Sequence, residues 1–209
     1  MIYVDALTNV TFILFIVFLL SLFIFSRSHI GKMINGKDLS LTLLGSNKKD
    51  KRYVFKKMYI NTSDGVFKNT SLVINSDGVF LFFYVSERGM LYGREAEDEW
   101  YSAQFRSEKP SYYFENPTKK VKYLMKILNT ELELKKIYPF VVFLDGRLNN
   151  VHTETYTIYP MDIRNSFKLY HSDEIVYTID ELNELNNKIK EYNNKNKVLY
   201  KESKIKKTE

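Results

Sequence analysis

Two Glu-x-Lys triplets, Glu133-Leu-Lys135 and Glu202-Ser-Lys204, are the shortest patterns in this chain that could do chemistry. Residues two apart on a strand share a face, so such a triplet can aim a carboxylate and an ammonium into one cleft. Metal-dependent phosphodiester hydrolysis needs that combination: carboxylate oxygens to hold Mg²⁺, and a cation beside the attacking water or the phosphate. In a chain with 31 Lys and Arg, two such triplets are what chance delivers, and the second lies in the C-terminal tail. Glu95, Glu97, Asp98 and Glu99 form an acidic run before Trp100 that reads as a solvated loop. The absence of Cys removes disulfides, thiolate metal sites and cysteine nucleophiles, and three scattered His (29, 152, 171) do not make a metal cluster. "PSYYFENP" with Lys119, Lys120 and Lys122 has the aromatic and basic mixture of a nucleic-acid contact, weighed against simple packing of those rings between sheet and helix.

The elements that would position these groups are legible from period and punctuation. "RYVFKKMYI" (52–60), "TSLVIN" and "VFLFFYV" read as strands, the last buried on both faces because nearly every position is apolar. Ser-Asp-Gly at 63–65 and again at 76–78 is turn chemistry, so two hairpins converge on it without any repeat architecture. "MLYG", "WYSAQF", "YPFVVFLD" and "EIVYT" read as further strands. Pro117 opens a helix with Val121, Leu124, Met125 and Leu128 on one face. Thr178 and Glu181 form a capping box ahead of a helix whose face is Leu182, Leu185 and Ile189. A brief helix is expected within 36–51. This order predicts an α/β (α+β) layered domain, a mixed sheet flanked by helices.

Val10–Phe25 is uncharged, and with Ala6–Asn9 the uncharged stretch reaches about twenty residues, the span of a bilayer core. Asp5 precedes it and Arg27 and Lys32 follow, which predicts a single-pass helix over 10–26 with the domain on the cytoplasmic side at the cell membrane. The organisation expected is a flank at 1–9, the membrane helix at 10–26, a linker at 27–35, a domain at 36–192 and a basic tail at 193–209. Net charge is +6, and Lys188–Glu209 alone carries eight Lys against three Glu. Lys201, Lys204, Lys206 and Lys207 are therefore expected contacts for an anionic lipid or nucleic acid.

"GVFLFFYVSERGMLYG" (78–93), Trp100 and "ENPTKKVKYLMKIL" together resemble the NERD (nuclease-related) domain, a branch of the PD-(D/E)xK nuclease-like fold. The pattern is Gly-Glu at a first helix, Ile-Asp leading a strand, "GxFxIExKNxxGxIxG", a Trp, and "NPxxQ" opening a helix. Gly78, Phe80, Gly89, Gly93, Trp100, Asn116 and Pro117 match it over roughly 36–128. The resemblance implies a restriction-endonuclease-like mixed sheet. The chemical positions do not match. The helix Glu falls on Lys37, beside Asp38, and the strand Asp on Ser71, or on Thr70 if the turn is one residue longer. The signature Glu and Lys fall on Phe83 and Val85, and the helix Gln on Lys120. Phe and Val offer no metal ligand and no charge. The sequence therefore favours a non-catalytic module binding a protein or nucleic acid, without a cofactor. The alternative is a divergent nuclease using Mg²⁺ on carboxylates that the pattern does not identify.

Overall fold

The computed structural model describes residues 14–21, 52–105, 107, 109–170 and 175–205. By contacts the chain falls into two units, Met1–Leu39 and Ser40–Glu209. Of the first, residues 14–21 form a helix, α1, with Leu14–Leu20 all 40–62% exposed. The Ser21 hydroxyl donates back to the Phe18 carbonyl at 2.7 Å, which is how a polar side chain is accommodated in an apolar helix. No helix among the described residues is long and apolar enough to cross a membrane. The rest of the expected span over 10–26 lies outside them, as do the linker, Lys37, Asp38 and the brief helix expected within 36–51.

The second unit is an α+β domain with two mixed sheets flanked by helices. β1 (Tyr53–Thr62), β2 (Gly65–Asn75) and β3 (Gly78–Val85) form an antiparallel meander. Its two turns place Gly65 and Gly78 at φ of +113° and +146°, backbone that the Ser-Asp-Gly signals anticipated and that a side chain would resist. β7 (Ile137–Phe143) and β9 (Tyr156–Ile158) complete this sheet in the order β1-β2-β3-β7-β9, both joining in parallel. β4 (Met90–Arg94), β5 (Glu99–Ala103), β6 (Pro110–Glu115) and β8 (Arg147–His152) form the second sheet in the order β6-β5-β4-β8. "MLYG" is thus not a continuation of the first sheet: β4 pairs with β5 and β8. The helices are α2 (Pro117–Leu132), a short α3 (Ile163–Ser166) set between two 3₁₀ turns, and α4 (Ile179–Ile205).

Every residue of β3 is buried. Leu81, Phe83 and Val85 join the cluster beneath α2 and α4, with Val121, Leu124, Leu128, Leu182, Leu185 and Ile189. Phe80, Phe82 and Tyr84 join the opposite cluster, roofed by Ile163, Phe167 and Tyr170. A strand covered on both faces must be apolar throughout. "EIVYT" does not form a strand: among its described residues, 175–178 run without regular structure, and their backbone is used elsewhere. The Val176 and Tyr177 amides both donate to the Ser76 carbonyl, and Tyr177 is buried. The Thr178–Glu181 capping box forms, with the Thr178 amide 2.9 Å from the Glu181 carboxylate.

α4 continues unbroken past residue 192, so the described part of the expected tail is its last turns. That extension is explained by the exposed edge of β1. Asn193 accepts from the Tyr59 amide at 2.8 Å and donates to the Lys57 carbonyl at 3.0 Å, while Asn196 donates to the Tyr59 carbonyl at 3.1 Å. Asparagine amides carry both donor and acceptor, so they can satisfy an edge strand as a further strand would.

Candidate binding cleft

Three of the positions assigned from the pattern, Phe83, Val85 and Lys120, come together, and the alternative strand position, Thr70, lies beside them. Thr70 pairs with Phe83 across β2 and β3. Val85 lies two residues beyond Phe83 on the same face. Lys120, in the first turn of α2, reaches the same place. Phe83, Val85 and Lys120 line a cleft of about 250 Å³ together with Phe67, Phe114, Glu87 and Glu115. Ser71 is not part of it. It pairs with Phe82, and its hydroxyl donates to the Tyr84 hydroxyl at 2.8 Å on the other side of the sheet. The longer-turn assignment, Thr70, is the one that faces the cleft side, and its hydroxyl is spent on the Met58 carbonyl at 3.4 Å.

Local structure explains each placement. In β2 a bulge falls between the Met58–Thr70 and Ile60–Phe67 pairs, so two residues of β2, Lys68 and Asn69, oppose one of β1, Tyr59. The bulge changes the phase of the strand and lets Phe67 meet Phe83, ring centroids 5.6 Å apart. Lys120 is positioned by the start of α2. Asn116 caps that helix, its Oδ1 accepting from the Thr118 and Lys119 amides and the Thr118 hydroxyl. Its Nδ2 donates to the carbonyls of Arg94, Glu95 and Glu97. The Asn-Pro motif thus does two tasks: Pro117 starts the helix and Asn116 ties it to the loop after β4.

The cleft carries one cation, Lys120, and two carboxylates, Glu87 and Glu115. Phe83 and Val85 are 8% and 7% exposed. The Lys120 ammonium is 3.2 Å from Glu115 and lies 5.4 Å from the Phe67 ring centroid and 5.9 Å from that of Tyr123. Among the described residues no group of three or more His, Asp or Glu could hold a metal ion. A floor of Phe and Val under a paired lysine and a second carboxylate, Glu87, suits an apolar group better than an anion.

The other lysines expected to meet nucleic acid are already engaged. Lys119 pairs with Asp98 at 2.7 Å and also donates to the Ala96 carbonyl, while Lys122 pairs with Glu95. The aromatic residues of "PSYYFENP" are divided: Phe114 packs edge-on against Trp100, and Tyr113 extends a row with Tyr101 and Tyr92. Gly93 matters here because Trp100 occupies its Cβ position, the nearest ring atom only 2.2 Å from where that carbon would be. Lys201 and Lys204 lie on α4, and Lys206 and Lys207 lie outside the described residues.

The chain matches no family model, no curated protein and no solved structure.

Glu95 is the residue that sequence reasoning missed. Rather than being part of a solvated run, it accepts from the Thr155 amide and hydroxyl at 3.1 and 2.9 Å, from the Glu154 amide, and from Lys122. Burial pushes its carboxyl up, but Lys122 and the Thr155 and Glu154 donors outweigh this and hold it down at about 2. It ties the loop after β4 to the start of β9 and to α2. Only its position next to a Gly-Arg strand end hinted at a turn, and nothing local announced the long-range partners.

Proposed function

We propose that this chain is a membrane-anchored, nuclease-related domain whose catalytic groups have been replaced, working on the cytoplasmic side as a binding or scaffold module. The observation that supports the reading is that Phe83, Val85 and Lys120, three of the motif positions, line one cleft. Where the pattern puts an Asp, a Glu and a Lys, this chain has Ser71, or Thr70 if the turn is one residue longer, and the apolar Phe83 and Val85. The remaining cation, Lys120, is paired with Glu115, so it is not held free beside a site for an attacking water. The apolar N-terminal stretch supports an anchor, and the basic residues after it support the orientation.

The test is direct. Mg²⁺ or Mn²⁺ added to the full chain should neither raise its melting temperature nor support cleavage of DNA or RNA. A second reading, a divergent metal-dependent nuclease, is favoured by one fact: Glu87 and Glu115 line the same cleft as Lys120. Metal-dependent cleavage that disappears in Glu87→Gln, Glu115→Gln or Asp38→Ala would establish that reading in place of the first.

A further inference from the structure

We propose that the corner formed by β1, β2 and the end of α4 is a contact site for the phosphate headgroups of an anionic membrane surface. The fold collects lysines there that are far apart in sequence. Lys57 from β1 lies 5.6 Å from the Tyr59 ring centroid, while Lys68 from β2 and Lys204 from α4 lie 5.1 and 5.5 Å from that of Tyr200. The two rings are themselves packed 5.4 Å apart. On α4, Lys197, Tyr200, Lys201 and Lys204 recur at helical spacing and share a face. Two ammonium groups, from Lys68 and Lys204, address the one phenol of Tyr200 and hold it below the usual tyrosine range, Lys68 contributing most. No ion pair among the described residues supplies a carboxylate to Lys57, Lys68, Lys197 or Lys201. This contrasts with Lys119, Lys120 and Lys122, each of which has one.

Like charges gathered in one place are stabilised by an anion, and phosphate is the anion whose several oxygens can be shared by separate ammonium groups. Exposed aliphatic residues on the same stretch select a bilayer over a dissolved phosphate. Val198, Leu199 and Ile205 are 54%, 37% and 60% exposed beside the lysines. Basic and aliphatic groups side by side at a helix end suit the headgroup boundary, where the charge meets phosphate and the aliphatic chain enters the lipid. The site does not depend on the nuclease-related cleft.

The chain has no Cys, so a single Val198→Cys exchange in the full chain can be labelled uniquely with a polarity-sensitive dye. With vesicles of phosphatidylcholine plus phosphatidylserine the emission should shift to the blue, and raising salt from about 0.15 to about 1 M should reverse the shift. Vesicles of phosphatidylcholine alone should leave it unchanged. Lys68→Glu with Lys204→Glu should weaken the response to anionic vesicles by about tenfold or more, with the melting curve of the domain retained. Equal shifts on neutral and anionic vesicles, no shift on either, or full competition by millimolar glycerol phosphate without vesicles would each overturn the proposal. Flotation of the chain with neutral vesicles reports on the N-terminal anchor separately, so failure of one reading is distinguishable from failure of the other.

Discussion

At the scale of single residues, Glu95 and Thr70 show where side-chain type alone was insufficient. Glu95→Gln keeps the shape of the side chain and removes its charge, leaving Lys122 without a partner and the Glu154 and Thr155 donors with a poorer acceptor. The expected cost near neutral pH is about 1.5–3 kcal/mol, read as a lower denaturation midpoint. The pH dependence has a definite sign. The carboxyl is held at about 2 against its ordinary 4.5, so the native state favours the ionised form. Its contribution is complete above about pH 4.5 and drains away as the pH falls toward about 2. The gap in stability between the native chain and Glu95→Gln should therefore be constant at neutral pH and close in that acidic window. A gap that persists at pH 2 would mean the charge is not what Glu95 contributes. The choice between Thr70 and Ser71 could not be read from sequence because a one-residue shift of register turns every side chain to the other face. The hydroxyl of Ser71 found Tyr84 on that other face.

At the scale of elements, α4 is where the sequence reading stopped too early. Its first face, Leu182, Leu185 and Ile189, followed the apolar period and was legible. Its continuation was not, because Asn193 and Asn196 dock by amide-to-backbone bonds that no hydropathy pattern records. The density of Asn between 183 and 196 was the available signal. Truncation after Lys197 should leave a cooperative, nearly native melt, because both edge-sealing asparagines remain. Truncation after Tyr192 should expose the β1 edge and give a chain that aggregates, as should Asn193→Ala combined with Asn196→Ala to a lesser degree, each lost bond costing about 0.5–1.5 kcal/mol. Static light scattering during refolding separates these outcomes. If the chain cut after Tyr192 refolds to a monomer, the asparagines are not a seal. Elsewhere the legible elements were those with strong local signals: the two Ser-Asp-Gly hairpins, the Asn-Pro helix start and the all-apolar β3. β6 and β8 were not, since their residues are largely exposed and carry little period, and β9 and the short helical turns around Ile163 are too short to show one.

At the scale of the whole molecule, the proposed orientation has a simple check. Protease added to intact cells should leave the domain uncut and should digest it once the cells are opened. Digestion from outside would reverse the assignment drawn from Arg27 and Lys32. The two sheets are also interleaved along the chain: it leaves the first after β3, returns for β7, leaves again for β8 and returns for β9. Neither sheet is contiguous, so the domain should unfold as one unit. The seal on β1 has a consequence for synthesis. Tyr59 and the Asn193 that covers its backbone are 134 residues apart. A ribosome adding about 5–20 residues per second needs roughly 7–27 s to make the intervening chain. Through that interval the β1–β2 hairpin can form but its outer edge has no cover, and every chain on a polysome presents the same uncovered edge to its neighbours. Slow codons ahead of residue 193 would lengthen this exposure, and a chaperone able to hold a bare strand edge would be needed most while the protein is still being translated.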